Sequence, residues 1–192
     1  MKIVSLVTAL LFTLMASVFA VAADDADFEA ALNAFRGAGE SGVYFDGAYG
    51  YALFPAIAKG GIGVGGARGK GRVYQQGKHI GDSTMTQLTM GLQLGGQAFS
   101  QIVFFENEAA LDQFIAGNFE FGAQATAVAI TAGVSAEVNT GGGAAAGISG
   151  GRNDATTVHA GYRKGMAVFT IVRGGLMYEA TLGGQKFNYT PL

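Results

Sequence analysis

Tyr49–Tyr74 reads YGYALFPAIAKGGIGVGGARGKGRVY, and apolar pattern, glycine density and charge all change within it. An apolar run ends at Pro55, the only proline before position 191, and seven glycines follow between Gly60 and Gly71. No carboxylate stands between Asp46 and Asp82, whereas five of the twelve Lys and Arg residues do: Lys59, Arg68, Lys70, Arg72 and Lys78. The pattern predicts a glycine-rich β-ribbon in which alternate glycines let another element pack close. Arg68, Lys70 and Arg72 are spaced by two, so a continuous strand puts all three on one face, with Ile62 and Val64 at the same parity. That face is either an anion-binding surface or a strand edge kept soluble by charge.

Gly61, Gly63 and Gly66 also spell G-x-G-x-x-G, a pyrophosphate cradle when it follows a strand and opens a helix. The next residues, Ala-Arg-Gly-Lys-Gly-Arg, are too glycine-rich for a helix, at about 1 kcal/mol per glycine. A phosphate loop fails as well, because Gly71 follows Gly69-Lys70 where Ser or Thr is required.

With 192 residues, 49% hydrophobic and 14% charged, the chain can bury a core, and one domain over residues 23–192 is expected. Thirty-two glycines against two prolines, with no three-residue period, indicate tight turns and close strands. The net charge of −2 leaves anion affinity to local clustering. Residues 1–22 read as a secretory signal: Lys2, an apolar Ile3–Phe19 run, then Ala20, Ala22 and Ala23. A retained membrane anchor is the competing reading, for which the apolar core is short. Export without cysteine excludes both disulfides and a lipid-modified N-terminal cysteine.

Along the chain, Phe28, Ala31, Leu32 and Phe35 form a helical stripe behind Asp24, Asp25 and Asp27, predicting a helix over 25–37 that Gly37 and Gly39 stop. A short helical turn is expected over Gly42–Tyr49, then a strand at Tyr51–Phe54. Leu88, Met90, Leu92 and Leu94 alternate with polar or small residues, which predicts a strand with the leucines and methionine in the core. Ala98–Phe105 continues as a strand, Asn107 caps a helix burying Ala110, Leu111 and Phe114, and Gly117 closes it. Phe119–Ser135 alternates again, with small residues suited to a helix lying against them, and the low-complexity Asn139–Ala155 reads as a mobile loop. Four apolar runs between Thr156 and Tyr189, separated at Arg163-Lys164-Gly165, Gly174-Gly175 and Gly183-Gly184, predict an antiparallel meander. The fold class is α+β: N-terminal helices, a twisted antiparallel sheet or partly closed barrel, one inserted helix and a C-terminal meander.

Catalytic groups are sparse. His79 and His159 lie at no metal-ligand spacing, cysteine is absent, and Ser149, Asp154 and His159 lack the G-x-S-x-G elbow of a hydrolase. The chain reads as a non-enzyme needing no cofactor and no metal.

FPAIAKGGIGVGGARGKGRVY, then QLTMGLQLGGQAFSQIVFF with a helix containing ALDQF, then AVFTIVRGGLMYEATLGGQKFNY together resemble the SYLF-domain family. The likeness runs from about Ala48 to Tyr189. The resemblance implies a lipid-binding, non-enzymatic module, and in eukaryotic members membrane remodelling and, in some, actin. Members that attach by a basic amphipathic N-terminal helix differ from this chain, which carries Asp24, Asp25, Asp27 and Glu29 there against a lone Arg36. With the leader, the expected partners are anionic lipids or a membrane surface of the cell envelope, periplasmic or at the outer membrane, and not nucleic acid. Lys59, Arg68, Lys70, Arg72 and Lys78 are the electrostatic candidates for that contact, at roughly 1 kcal/mol per basic residue near an anionic bilayer. The alternative is an integral outer-membrane β-barrel, against which stand the interrupting helix and a C-terminus lacking a final aromatic.

Overall fold

The computed structural model describes residues 23–117, 120–129, 134–139, 144–148, 156–157 and 161–192. The expected leader, Ser149, Asp154 and His159 lie outside them.

Helix α1 spans Asp25–Gly37, as its stripe requires. Asp24 and Asp27 cap it reciprocally: the Asp27 amide donates to Asp24 Oδ1 at 2.9 Å and the Asp24 amide to Asp27 Oδ2 at 3.3 Å. Phe28, Ala31 and Phe35 are its buried face. The next turn of helix, α2 at Gly39–Gly42, comes earlier than expected. Its buried Ser41 hydroxyl donates to the Phe35 carbonyl at 2.6 Å and draws it back against α1.

Strand β1 runs Gly50–Gln75 and β2 runs Lys78–Phe105, joined by Gln76-Gly77 with positive φ at both residues. β1 therefore continues through Pro55 instead of ending there. The proline sits in a register shift between Phe54 and Ile57 on an edge strand, one of the few sheet positions without a ladder amide to lose. Its carbonyl accepts from Ser100 Oγ and Arg173 Nη1, both at 2.7 Å.

The ribbon folds across its middle. Pairing jumps from Ile62↔Leu94 to Val64↔Met90, and Gly63 takes a φ of 71° at the corner. The two halves of β1 then meet backbone to backbone, because Gly69 lies against Ile57 and Gly71 against Leu53 and Phe54. A Cβ on Gly71 would stand 2.5 Å from the Phe54 ring and 2.7 Å from the Leu53 carbonyl oxygen, so close approach is the use this glycine serves.

This fold reverses one expectation. Leu88, Met90 and Leu94 are 69%, 68% and 58% exposed, while Gln87 and Thr89 are buried. Met85 and Phe187 fix the parity of this part of the sheet by entering the core, and period 2 then carries Gln87, Thr89 and Gln185 inward and Leu88, Met90 and Leu94 outward; the Leu92 side chain lies outside the described residues. Gln101 Nε2 of the first half donates to Gln185 Oε1 of the second at 3.1 Å, which gives Gln185 a partner across the fold.

Helix α3, Glu108–Ile115, follows β2 with Asn107 as its cap, its side chain accepting from the Ala110 amide at 3.0 Å. Beyond it, β3 (Glu120–Ala129), β4 (Val134–Asn139), β5 (Ala144–Ile148), the short β6 (Thr156–Thr157) and β7 (Met166–Pro191) complete the described strands. Part of the expected loop is thus strand, Ala144–Ile148 pairing antiparallel with β4. The expected meander is one strand instead. β7 pairs without a turn from Met166↔Phe105 to Pro191↔Gly81, so Gly174-Gly175 and Gly183-Gly184 sit in the ladder, and only Arg163-Lys164-Gly165 makes a turn. The sheet order is β1-β2-β7-β3-β4-β5, with β6 on β7 and all pairings antiparallel. Among the described residues no ladder joins β1 to β5, so the sheet stays open.

Two cores result. Inside the fold, Phe54, Val103, Phe105 and Val168 of the first half meet Val73, Met85 and Phe187 of the second, with Phe114 of α3 against Phe105 and Phe187 at centroid distances of 5.0 and 5.1 Å. On the outer side of the first half, Leu53, Ile102, Phe104 and Phe169 receive the α1 stripe.

Candidate functional site

The outer face of the second half follows from the register. Across β1, β2 and β7, Arg68 stands opposite Thr86 and Thr86 opposite Lys186; the next row holds Lys70, Thr84 and Asn188. Arg68, Lys70 and Lys186 are exposed, and strands spaced by about 4.8 Å put Lys186 about 10 Å from Arg68. In the ladder Arg68 and Lys70 face threonines, whereas Lys186 stands between Thr86 on β2 and Glu120 on β3. Three cations beside threonine hydroxyls make a surface suited to phosphate or carboxylate oxygens.

The other sequence candidates go elsewhere. Lys59 is buried at 8% exposure, since the bulge at Pro55 turns its side of β1 inward. Arg72 is taken up by α1: its guanidinium pairs with Asp25 at 2.5 Å and lies 4.1 Å from the Phe28 ring centroid. The bond to Asp25 pushes its pKa further up, against the opposing effect of burial. Lys78 is exposed at the hairpin tip, ten residues along the chain from Arg68. His79 engages the Gly81 carbonyl at 3.1 Å and Asp82 at 3.2 Å. The structure thus keeps Arg68 and Lys70 together and adds Lys186. No short-range signal marks Lys186, because only the β2–β7 register brings it there.

Next to this cluster lies the corner of the fold, where Ile62 and Val64 are 73% and 63% exposed beside Leu88, Met90 and Leu94. Exposed apolar side chains are ordinary singly, and a contiguous group of five on two paired strands marks an interaction surface. Elsewhere a cleft of about 410 Å³ opens between the end of α1, the turn after α2 and the hairpin tip, lined by Arg36, Phe45, Asp46, Tyr51, Gln76 and Gly77 among others. Arg36 lies 5.3 Å from the Phe45 ring centroid, and burial raises the Tyr51 pKa, with Tyr74 adding and Arg36 opposing.

The folded antiparallel ribbon thus carries α1 outside its first half, α3 at its inner core and a basic, apolar-bordered face on its second half, with Arg72 joining that face to α1. The chain belongs to the SYLF family, whose model, described as Ysc84, Las17-binding protein actin regulator, matches residues 86–188, more than half of it. It is also similar to the beta cell expansion factor A of Aeromonas veronii, 28% identical over 149 residues that cover 76% of this chain and 47% of that protein. The chain spans about half the length of that curated relative. No solved structure matches it.

Proposed function

We propose that this protein is a non-enzymatic lipid-binding module of the cell envelope whose outer ribbon face engages anionic phospholipid. The observation that carries this reading is the cluster of Arg68, Lys70 and Lys186 on an exposed sheet face, where no carboxylate stands opposite Arg68 or Lys70. Family membership supports lipid- or actin-related binding as the class. The leader-like residues 1–22 favour the lipid alternative, since an exported chain meets envelope lipid.

The test is co-sedimentation with vesicles of phosphatidylglycerol and phosphatidylcholine against phosphatidylcholine alone. The wild type is expected to pellet with the first and not the second at low salt. Replacing Arg68, Lys70 and Lys186 by Gln weakens that binding about 10²-fold, at roughly 1 kcal/mol per cation. Equal binding to both vesicle types, or none to either, overturns the reading.

A further inference from the structure

The corner of the folded ribbon has no counterpart in a surface built only for solubility. At Gly63 on β1 and Gly91–Gln93 on β2 the pairing breaks, and around this break stand Ile62, Val64, Leu88, Met90 and Leu94, each more than half exposed. The flanking residues are small: Gly60, Gly61, Gly65, Gly66, Gly95 and Gly96 leave the five side chains as the crest of the molecule at this end. β1 and β2 carry no carboxylate between Gly50 and Asp82 or between Asp82 and Phe105. Register brings Glu179 of β7 to crest height, opposite Gln93, and sets Glu120 of β3 opposite Lys186, so Arg68 and Lys70 are the cations with no carboxylate opposite them.

Arg68 and Lys70 share their face of β1 with Val64 and follow it by four and six residues, which at about 3.3 Å per residue is roughly 13 and 20 Å. An amphipathic element lying in a membrane interface buries its apolar part about 5–10 Å into the headgroup and acyl boundary. Long basic side chains behind such a part reach back toward the phosphate layer. We infer that the protein binds membranes by inserting this crest, with Ile62, Val64, Leu88, Met90 and Leu94 entering the acyl boundary of an anionic bilayer while Arg68, Lys70 and Lys186 hold the phosphates behind them. The inference rests on the lipid-binding reading and adds a second, apolar component to it. Charge complementarity selects the occupant: a row of cations bordering an apolar crest matches anionic headgroups over hydrocarbon, the order of layers in a bilayer leaflet.

A purely electrostatic contact is screened by salt, whereas burial of apolar surface is not weakened by it. The experiment compares wild type, Leu88→Ser/Met90→Ser and Arg68→Gln/Lys70→Gln on phosphatidylglycerol vesicles at low salt and at about 0.5 M salt, where the Debye length falls to about 4 Å. The expected result is that wild type retains binding at high salt, and that Leu88→Ser/Met90→Ser loses that residual binding roughly tenfold or more while keeping part of its low-salt binding. Val64→Thr serves as a second variant that keeps β-propensity, with a smaller loss in the same direction, and thermal melting checks that each protein is folded. If wild type binds at low salt and Leu88→Ser/Met90→Ser matches it under both conditions, the crest does not insert and the inference falls while the lipid reading stands. If the same double substitution instead abolishes a concentration-dependent dimer and leaves vesicle binding untouched, the crest is a self-association face and the inference is overturned. Wild type that binds no vesicle at any salt removes the lipid reading itself.

Discussion

Gly71 shows how one residue decides the shape of the ribbon. Its missing Cβ is the space in which the Phe54 ring and the Leu53 carbonyl oxygen approach β1's second half. Gly71→Ala forces a clash with backbone that no side-chain rotation relieves, and overpacking of this kind costs about 1–3 kcal/mol. A fall of several degrees in Tm by calorimetry is the expected outcome, and an unchanged Tm shows that the halves do not touch there. Tyr51 gives a prediction in pH. Burial is the main cause that lifts its folded pKa above the ordinary value of 10.0, so the folded state holds the phenolic proton after the unfolded chain has lost it. Its contribution is complete below pH 10 and is lost as pH rises through the raised folded value. Urea titrations above pH 10 are expected to show stability falling less steeply in Tyr51→Phe than in wild type.

Among the elements, the helices were the most legible in the sequence. Asp24 with Asp27 and Asn107 with the Ala110 amide are local chemistry, written within one turn; α1 buries Phe28, Ala31 and Phe35 of its stripe with Leu32 half-buried, and α3 buries Ala110, Leu111 and Phe114. The strands were less legible for a physical reason. Period 2 gives two faces but not which one is covered; Met85 and Phe187, contributed by strands a hundred residues apart in sequence, settle it and send Leu88 and Met90 outward. The glycine pairs of β7 carry the composition of turns, yet the partner strand β2 holds them extended. Helix α3 closes the inner core by lodging Phe114 between Phe105 and Phe187. Phe114→Ala is expected to cost about 3–5 kcal/mol in urea unfolding, a core-sized loss from an eight-residue helix.

For the whole molecule, the candidate site was half readable. Arg68 and Lys70 stand out as alternating cations in an acid-free window, whereas Lys186 and the burial of Lys59 depend on the fold of the sheet. The capture of Arg72 by Asp25 and Phe28 needs α1 and β1 together, and neither segment announces the other. At this scale the crest and the basic face are the parts of the molecule that meet a membrane, while the outward side of α1 does not. The chain contains no tryptophan, so Leu88→Trp and Glu29→Trp each give a single emission signal, one on the crest and one on the exposed side of α1. On adding phosphatidylglycerol vesicles whose acyl chains carry bromine, the account predicts a blue shift and quenching for Leu88→Trp and neither for Glu29→Trp. Emission that stays unshifted and unquenched at position 88 while the protein sediments with the vesicles contradicts it.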